Sequence, residues 1–438
     1  MSDDICAPTR LVRLAPLLFS TALLALPASA FAQDFRVDDP PEAMQQAGTN
    51  TNQTTRTGLL SQPKVMSTLM RLGIDKFGDS GQTKSGPYLE MSNMITGSGW
   101  VSLGPGYRKY LFDKRGFIDG SAAASWHLYK MVQGRFEMTD LADHRLSAGV
   151  QTMWQDQTQV NYFGIGPDSN VDNQSQYRME STDIVGYATY RPGGSIAIGG
   201  EVGYVRRPSL ESPGGTFKPD FPETAHQFST DPGVSLSFQP NYLHTELSIA
   251  SDTRDHRSYP TRGGLYRAAM TTYSDRSTDT FTFQQYEVEG AQFIRLGTPS
   301  WVLALHGWLV ASDVGDGHDV PFYLLPSLGG HNTLRGYHNF RFHDRSLANV
   351  TAESRWAIFT NVDAAVFFDA GNVAHRAEDL DLGKTSWGAG LRLHTDRMTL
   401  GRVEVAHSTE GWHFIFRTSD PLRLSRLTRR VAALPFVP

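Results

Sequence analysis

From about Pro87 to Arg417, apolar and polar residues alternate with a period of two, the pattern of strands buried on one face only. Segments bounded by Gly, Pro, Asp or Asn follow one another near 87–98, 100–112, 116–139, 145–164, 177–191, 195–207, 239–252, 263–275, 280–296, 299–313, 347–360, 361–375, 385–397, 399–410 and 411–418. That makes fifteen candidate strands, and a further one is expected within 208–238 or before 87. Strands of about 10 residues with their connections need about 20 residues each, so this stretch holds about 16 of them. No helical pattern interrupts the series, which predicts an all-β, antiparallel architecture.

The alternation assigns faces. On 361–371, Val362, Ala364, Val366 and Phe368 share one side, and Asp363, Ala365, Phe367, Asp369 and Gly371 share the other. On 347–360, Val350, Ala352, Ser354, Trp356 and Ile358 oppose Thr351, Glu353 and Arg355. A lipid-facing wall around a polar lumen gives this division, and so does a soluble sandwich. Strand number favours the barrel. So do the aromatics near strand ends, Trp100, Tyr107, Tyr110, Phe112, Trp301, Trp308, Trp387, Trp412 and Phe414, which suit an interfacial girdle. The expected fold is a 16-stranded transmembrane β-barrel over 87–418. Its two long connections, 208–238 and 314–346, are expected on the extracellular side, because periplasmic turns are short.

The ends read differently. Arg10 and Arg13 precede an apolar run, Leu14–Leu26; Pro27 breaks it, and Ala30-Phe31-Ala32 fits a cleavage site, so 1–32 is expected to be a signal peptide. Residues 33–86 form a polar periplasmic lead-in, largely flexible, with a short amphipathic helix over Lys64–Phe77. Residues 419–438 form a basic tail carrying Arg423, Arg426, Arg429 and Arg430. The single cysteine, Cys6, lies before the apolar run, so the exported chain offers no disulfide and no thiolate metal ligand. With a formal charge of −5 and scattered basic residues, nothing points to nucleic acid. The 41 glycines, 11% aromatics and mean hydropathy of −0.35 fit a barrel with a polar interior.

One candidate site stands out. In Leu328-Gly329-Gly330-His331-Asn332-Thr333-Leu334-Arg335-Gly336-Tyr337, an arginine sits among glycines that permit close backbone approach. Glu353 and Asp369 project from the presumed lumen faces of the next two strands. A loop folded back into the lumen places the planar guanidinium fork of Arg335 between them; a solvated surface arginine beside two unrelated acids fits the spacing as well. No nucleophile elbow, zinc-binding helix or phosphate loop occurs, and the scattered histidines lack metal-ligand spacing, so neither enzyme activity nor a metal or cofactor is expected.

Leu334-Arg335-Gly336-Tyr337 and Phe367-Phe368-Asp369-Ala370-Gly371 together resemble the loop and strand motifs of the outer-membrane protein-85 superfamily, the bacterial surface antigens. Asp252-Thr253-Arg254-Asp255 with Tyr259-Pro260-Thr261-Arg262-Gly263-Gly264, and Tyr162-Phe163-Gly164-Ile165-Gly166-Pro167, resemble two further family elements. The resemblance covers about Pro87 to Phe416. It implies a 16-stranded barrel in the bacterial outer membrane whose loop between strands eleven and twelve lies in the lumen. It also implies pairing of Arg335 with Glu353 and Asp369, and a role for Phe367 and Gly371 in the strand motif. Members include barrel-assembly insertases and two-partner-secretion translocases, which implies insertion of proteins into the membrane or their transfer across it.

The chain departs from the family pattern twice. The lead-in is too short for the family's periplasmic POTRA modules, and a basic tail follows the last strand. Expected partners are outer-membrane lipids and lipopolysaccharide, unfolded outer-membrane or secreted clients, and a separate periplasmic protein. A passive channel, and an enzyme or adhesin built on the long loops, stay open as alternatives.

Overall fold

Among the described residues, sixteen strands form one antiparallel sheet in which each pairs with its neighbours in sequence. The structure, a computed structural model, describes residues 58–60, 85–91, 102–215, 221–236, 239–255, 259–298, 300–394, 399–417 and 422. The expected signal peptide, the Lys64–Phe77 helix and the arginines of the tail lie outside them. The strands are β1 Gly86–Met91, β2 Ser102–Leu111, β3 Gly116–Ser125, β4 Lys130–Leu141, β5 Leu146–Tyr162, β6 Ser175–Gly193, β7 Ile196–Glu211 and β8 Tyr242–Asp252. There follow β9 Gly263–Asp275, β10 Phe283–Arg295, β11 Trp301–Val314, β12 Ser346–Phe359, β13 Val362–Ala374, β14 Lys384–His394, β15 Thr399–Ser408 and β16 Gly411–Arg417.

Among the described residues, the extra strand does not come from 208–238 or from before 87. The segment 116–139 is a hairpin, β3–β4, not one long strand. Its turn, Trp126-His127-Leu128-Tyr129, has no Gly, Pro, Asp or Asn to mark it. Leu128 takes a left-handed φ of 62°, and the Ser125 hydroxyl accepts from the Tyr129 amide at 3.1 Å to close the turn.

Burial follows the period of two. On β13, Asp363, Ala365, Phe367 and Asp369 are buried while Val366 and Phe368 are exposed. Exposed large apolar side chains such as Ile184, Val202, Leu247, Ile249, Val288, Leu309, Leu391 and Val403 recur around the outer wall. That is the surface a bilayer requires. Trp301, Trp387, Trp412 and Phe414 join this outer surface. Two expected girdle residues do not. Trp308 is 2% exposed and donates its indole N–H to Glu287 at 2.8 Å, and Tyr110 packs inward on Phe117. Strand parity, not aromatic character, decides the side. Trp100 lies outside the described residues.

The inner faces meet across a common lumen. Tyr259, from the β8–β9 turn, stacks on His394 of β14 with ring centroids 4.0 Å apart. At the end of the sheet that carries the two long connections, the β7–β8 and β11–β12 segments join when Phe322 N–H donates to Pro232 O at 2.9 Å. Phe322 also packs edge-on against Tyr162 and Tyr177 at 5.1 and 5.0 Å. Together they build an apolar cluster with Tyr242, Phe283, Tyr323 and Phe340 inside the mouth. Among the described residues, no ladder joins β1 to β16.

Candidate functional site

The β11–β12 connection, residues 315–345, returns into the lumen. A two-residue ladder, Ser327–Leu328 against Phe342–His343, closes its base. Gly329 and Gly330 take φ of 111° and 102°, and a Cβ on Gly329 would lie 2.3 Å from the His338 carbonyl oxygen. Only glycine fits such a backbone without strain. The Gly329 amide donates to the Thr333 hydroxyl at 3.1 Å, and the Tyr337 amide to the Leu334 carbonyl at 3.0 Å, which turns the motif tightly.

Each motif residue then meets a different part of the wall. Leu334 and Tyr337 bury into an apolar cluster with Trp308, Val310, Leu328, Phe342, Leu347 and Val373. The Tyr337 hydroxyl lies 3.1 Å from that of Thr409. Gly336 passes so close to β14 and β15 that a Cβ would stand 2.7 Å from Ser386 Cβ and 2.8 Å from Ser408 Cβ. Its carbonyl accepts from the Ser408 hydroxyl at 2.5 Å.

Arg335, 2% exposed, occupies the centre. Nε donates to Asp369 Oδ2 at 3.0 Å, Nη2 to Asp369 Oδ1 at 2.8 Å, and Nη1 to Glu353 Oε2 at 2.8 Å. Its own amide donates to Asp369 Oδ2 at 3.2 Å. The guanidinium lies 3.3 Å from the centre of the Phe367 ring. Burial alone would lower the Arg335 pKa, but Asp369, Glu404 and Glu353 outweigh it and raise it, so the cation is secure. Thr351 and Ser386 hydroxyls complete Asp369 at 3.0 and 3.1 Å. Gly371 lies under the loop: a Cβ there would be 3.2 Å from Leu328 Cδ1. The structure therefore brings Arg335, Glu353 and Asp369 into one contact, with Phe367 and Gly371 beneath it.

The site is larger than this group. Arg355 Nε donates to Glu353 at 2.8 Å, and Arg392 Nη2 bridges Glu353 at 2.5 Å and Glu404 at 3.0 Å. Arg402 binds Glu404 and donates to the His331 carbonyl at 2.8 Å. The periodicity carried a signal for these residues: Arg392, Arg402 and Glu404 are charges at inward positions of strands whose outward positions are apolar. Arg341 ties the loop to the β15–β16 turn and to the β5–β6 connection, donating to Glu410 and to the Ser169 hydroxyl and carbonyl at 2.8, 2.7 and 2.7 Å. His343, beside it, is fully buried; burial and then Arg341 push its pKa down to about 3.

The network has no acid–base or nucleophilic layout, because each carboxylate is engaged by guanidinium. Among the described residues no cluster of His, Cys, Asp or Glu is arranged to hold a metal ion. Its chemistry is positional. Buried ion pairs lose solvation and contribute more to a defined geometry than to net stability.

Comparison with known proteins matches this architecture. Residues 128–407, more than half of the chain, match the Omp85 superfamily domain. BamA from Haemophilus ducreyi lacking POTRA domains 1–3 superposes with a TM-score of 0.57 at 14% identity, over 76% of this chain and 70% of that one. CdiB from Escherichia coli superposes with a TM-score of 0.50 at 13% identity, over 76% of this chain; the chain spans only 62% of its length. At such identities the likeness concerns the fold. A search of curated proteins found no match. The family match and the arginine loop inside a 16-stranded sheet agree: the chain belongs to the Omp85 superfamily, as an outer-membrane β-barrel.

Proposed function

We propose that this barrel assists insertion of proteins into the outer membrane, or their transfer across it, and that the Arg335 loop holds it in the competent form. The observation that carries the reading is the loop locked to β12 and β13 by Arg335, Asp369 and Glu353 in a chain of this family. The mechanism is structural. Among the described residues β1 and β16 end the sheet, and strand edges of this kind template an incoming strand. Residues Leu334, Gly336, Tyr337, Phe367 and Gly371 fit the loop to the wall. A separate periplasmic protein supplies client capture, and outer-membrane lipid and lipopolysaccharide surround the outer wall. No catalytic group or cofactor takes part. The passive-channel alternative is weakened by the buried aromatic cluster that the two long connections build with the inner wall.

The test is a liposome assay with the purified exported chain. Unfolded outer-membrane barrel clients are added and their protease-protected, heat-modifiable fraction is followed, with empty liposomes and Arg335→Ala as controls. Faster client folding with wild type alone supports the proposal. No acceleration, together with steady ionic conductance, favours the channel. Deletion of the 208–238 or 314–346 loop that leaves the barrel folded but abolishes surface attachment favours the adhesin.

A further inference from the structure

We propose that the crevice where the arginine loop meets the β5–β6 connection, β14 and the β15–β16 turn is a binding site for a neutral saccharide, and that the bound sugar holds the loop against the wall. The site depends on the docked loop and not on whether the barrel inserts clients.

The crevice encloses about 410 Å³, within the range of about 300–1,000 Å³ usual for small-molecule sites. Three loop residues make its floor: Tyr337, Arg341 and Phe342 are each at most 3% exposed. Other parts of the chain close it through Asn170, Lys384 and Glu410. Arg341 is fixed there by its bonds to Glu410 and Ser169. It takes Oε1 of Glu410; Oε2 is buried and has no hydrogen-bond partner among the described residues. A buried carboxylate oxygen without a donor is costly, so this one is a ready acceptor. Lys384 offers the complementary donor. Its ammonium lies 5.2 Å from the centre of the Phe342 ring and meets Asp168 at 3.9 Å, on a side chain 98% exposed. So exposed a pair binds weakly and leaves the ammonium available. The Tyr337 and Thr409 hydroxyls, 3.1 Å apart, complete the polar set. One of them donates to the other, and the second O–H remains to donate elsewhere.

The charges of the crevice decide what fits. Arg341 and Lys384 face Glu410 and Asp168, two cations against two carboxylates. A cationic ligand would meet the first pair and an anionic one the second. A neutral ligand must instead donate to Glu410 Oε2 and accept from Lys384 Nζ. Hydroxyls do both, and a sugar ring carries several of them around a compact frame. A peptide amide carries one donor and one acceptor pointing apart, and it is recognised along a strand edge more than in a crevice. Pro167, Val171 and the Phe342 ring supply apolar surface for the C–H faces of a sugar. Tyr337 stands two residues beyond Arg335 in the same turn. A sugar that touches loop and wall together therefore binds the docked loop alone, and binding is linked to docking.

The test presents the full-length chain, in detergent micelles, with an array of neutral mono- and oligosaccharides of glucose, galactose, mannose and heptose. Saturation-transfer NMR reads binding, and trypsin cleavage at Arg345 reads the loop. At least one member of the array is expected to bind, and at roughly ten times its Kd to slow loop cleavage about tenfold. Glu410→Gln keeps an oxygen for Arg341 but turns the second acceptor into a donor, and should weaken that sugar about tenfold or more. Lys384→Met leaves the Arg341–Glu410 contact intact and should weaken it about as much. Competition by intact lipopolysaccharide identifies a membrane glycolipid as the source of the sugar, and indifference to it a free saccharide. No binding by any member at about 20 mM, well above a millimolar Kd, overturns the proposal. So does equal binding by wild type and both variants, or loop protection by an extended peptide with none by any sugar.

Discussion

Replacing Arg335 with alanine strands one carboxylate far more than the other, and that asymmetry can be measured. Glu353 keeps Arg355 at 2.8 Å and Arg392 at 2.5 Å after the loss. Asp369 keeps the hydroxyls of Thr351 and Ser386 and the backbone amide of residue 335, but loses the Arg335 guanidinium. Breaking a buried pair by removing one partner costs about 3–5 kcal/mol, because a charge remains without its counterion. At about 1.4 kcal/mol per decade, loop docking should weaken by roughly two to four powers of ten. Most of that loss belongs to Asp369, so Asp369→Asn added to Arg335→Ala should recover about half of it by the same principle. Glu353→Gln in the Arg335→Ala background should recover nothing, since it takes a carboxylate away from both Arg355 and Arg392. Arg335→Asp with Asp369→Arg should restore part of the docking. Trypsin cleavage at Arg341 and Arg345 in folded, heat-modifiable barrel reports loop release. Wild-type cleavage rates in both Arg335→Ala and Asp369→Ala, or equal rescue by Asp369→Asn and Glu353→Gln, would refute the reasoning.

Three further outcomes follow from the same geometry. Gly336→Ala places a Cβ within 2.8 Å of Ser386 and Ser408, and such overpacking costs about 1–3 kcal/mol, so loop proteolysis should rise while the barrel still shifts on heating. Val366→Arg, on the lipid face, should cost about 2–4 kcal/mol of barrel stability in urea titration, whereas Val366→Leu should be neutral; equal loss in both contradicts the face assignment. His343 has a folded-state pKa pushed below its usual 6.5 to about 3, so the folded form binds fewer protons than the unfolded one. Its contribution is whole above pH 6.5 and is lost as pH falls from there toward 3. Loop cleavage by an acid-active protease should therefore rise between pH 7 and pH 5, and His343→Gln should flatten that rise.

The strands and their faces were readable because a barrel wall is buried on one side only, and each residue reports its side by parity. Boundaries failed where a turn lacked punctuation, as at Trp126–Tyr129, which hid the β3–β4 hairpin. Parity also corrects residue character: Tyr110 and Trp308 point inward although aromatic residues near strand ends suit an interface. The pairing of Arg335 with Glu353 and Asp369 could be framed from spacing, but spacing alone fits a solvated arginine equally well. What no local pattern encodes is the interior cluster at the mouth. Its aromatics come from β5, β6, β8, β9 and β10 and from the β7–β8, β9–β10 and β11–β12 connections, and they meet only once the sheet curves.

The composition of the lumen explains why a loop, and not simply a filled core, stands at its centre. Arg335, Arg355, Arg392 and Arg402 are each at most 2% exposed, as are Glu353, Asp369 and Glu404. Removing so many charges from water costs several kcal/mol per ion, and well-packed apolar residues would be at least as stable. The wall members, however, satisfy one another. Arg355 and Arg392 bind Glu353, and Arg392 and Arg402 bind Glu404, all from β12, β14 and β15. Withdrawing the loop leaves those contacts in place; Asp369 loses Arg335, Glu410 loses Arg341, and Arg402 loses the His331 carbonyl. The docked loop thus adds a defined position at a cost that falls on Asp369 and Glu410 and spares the guanidinium–carboxylate contacts within the wall. Such an arrangement lets a loop be held firmly yet released as a unit, without dismantling the wall that receives it.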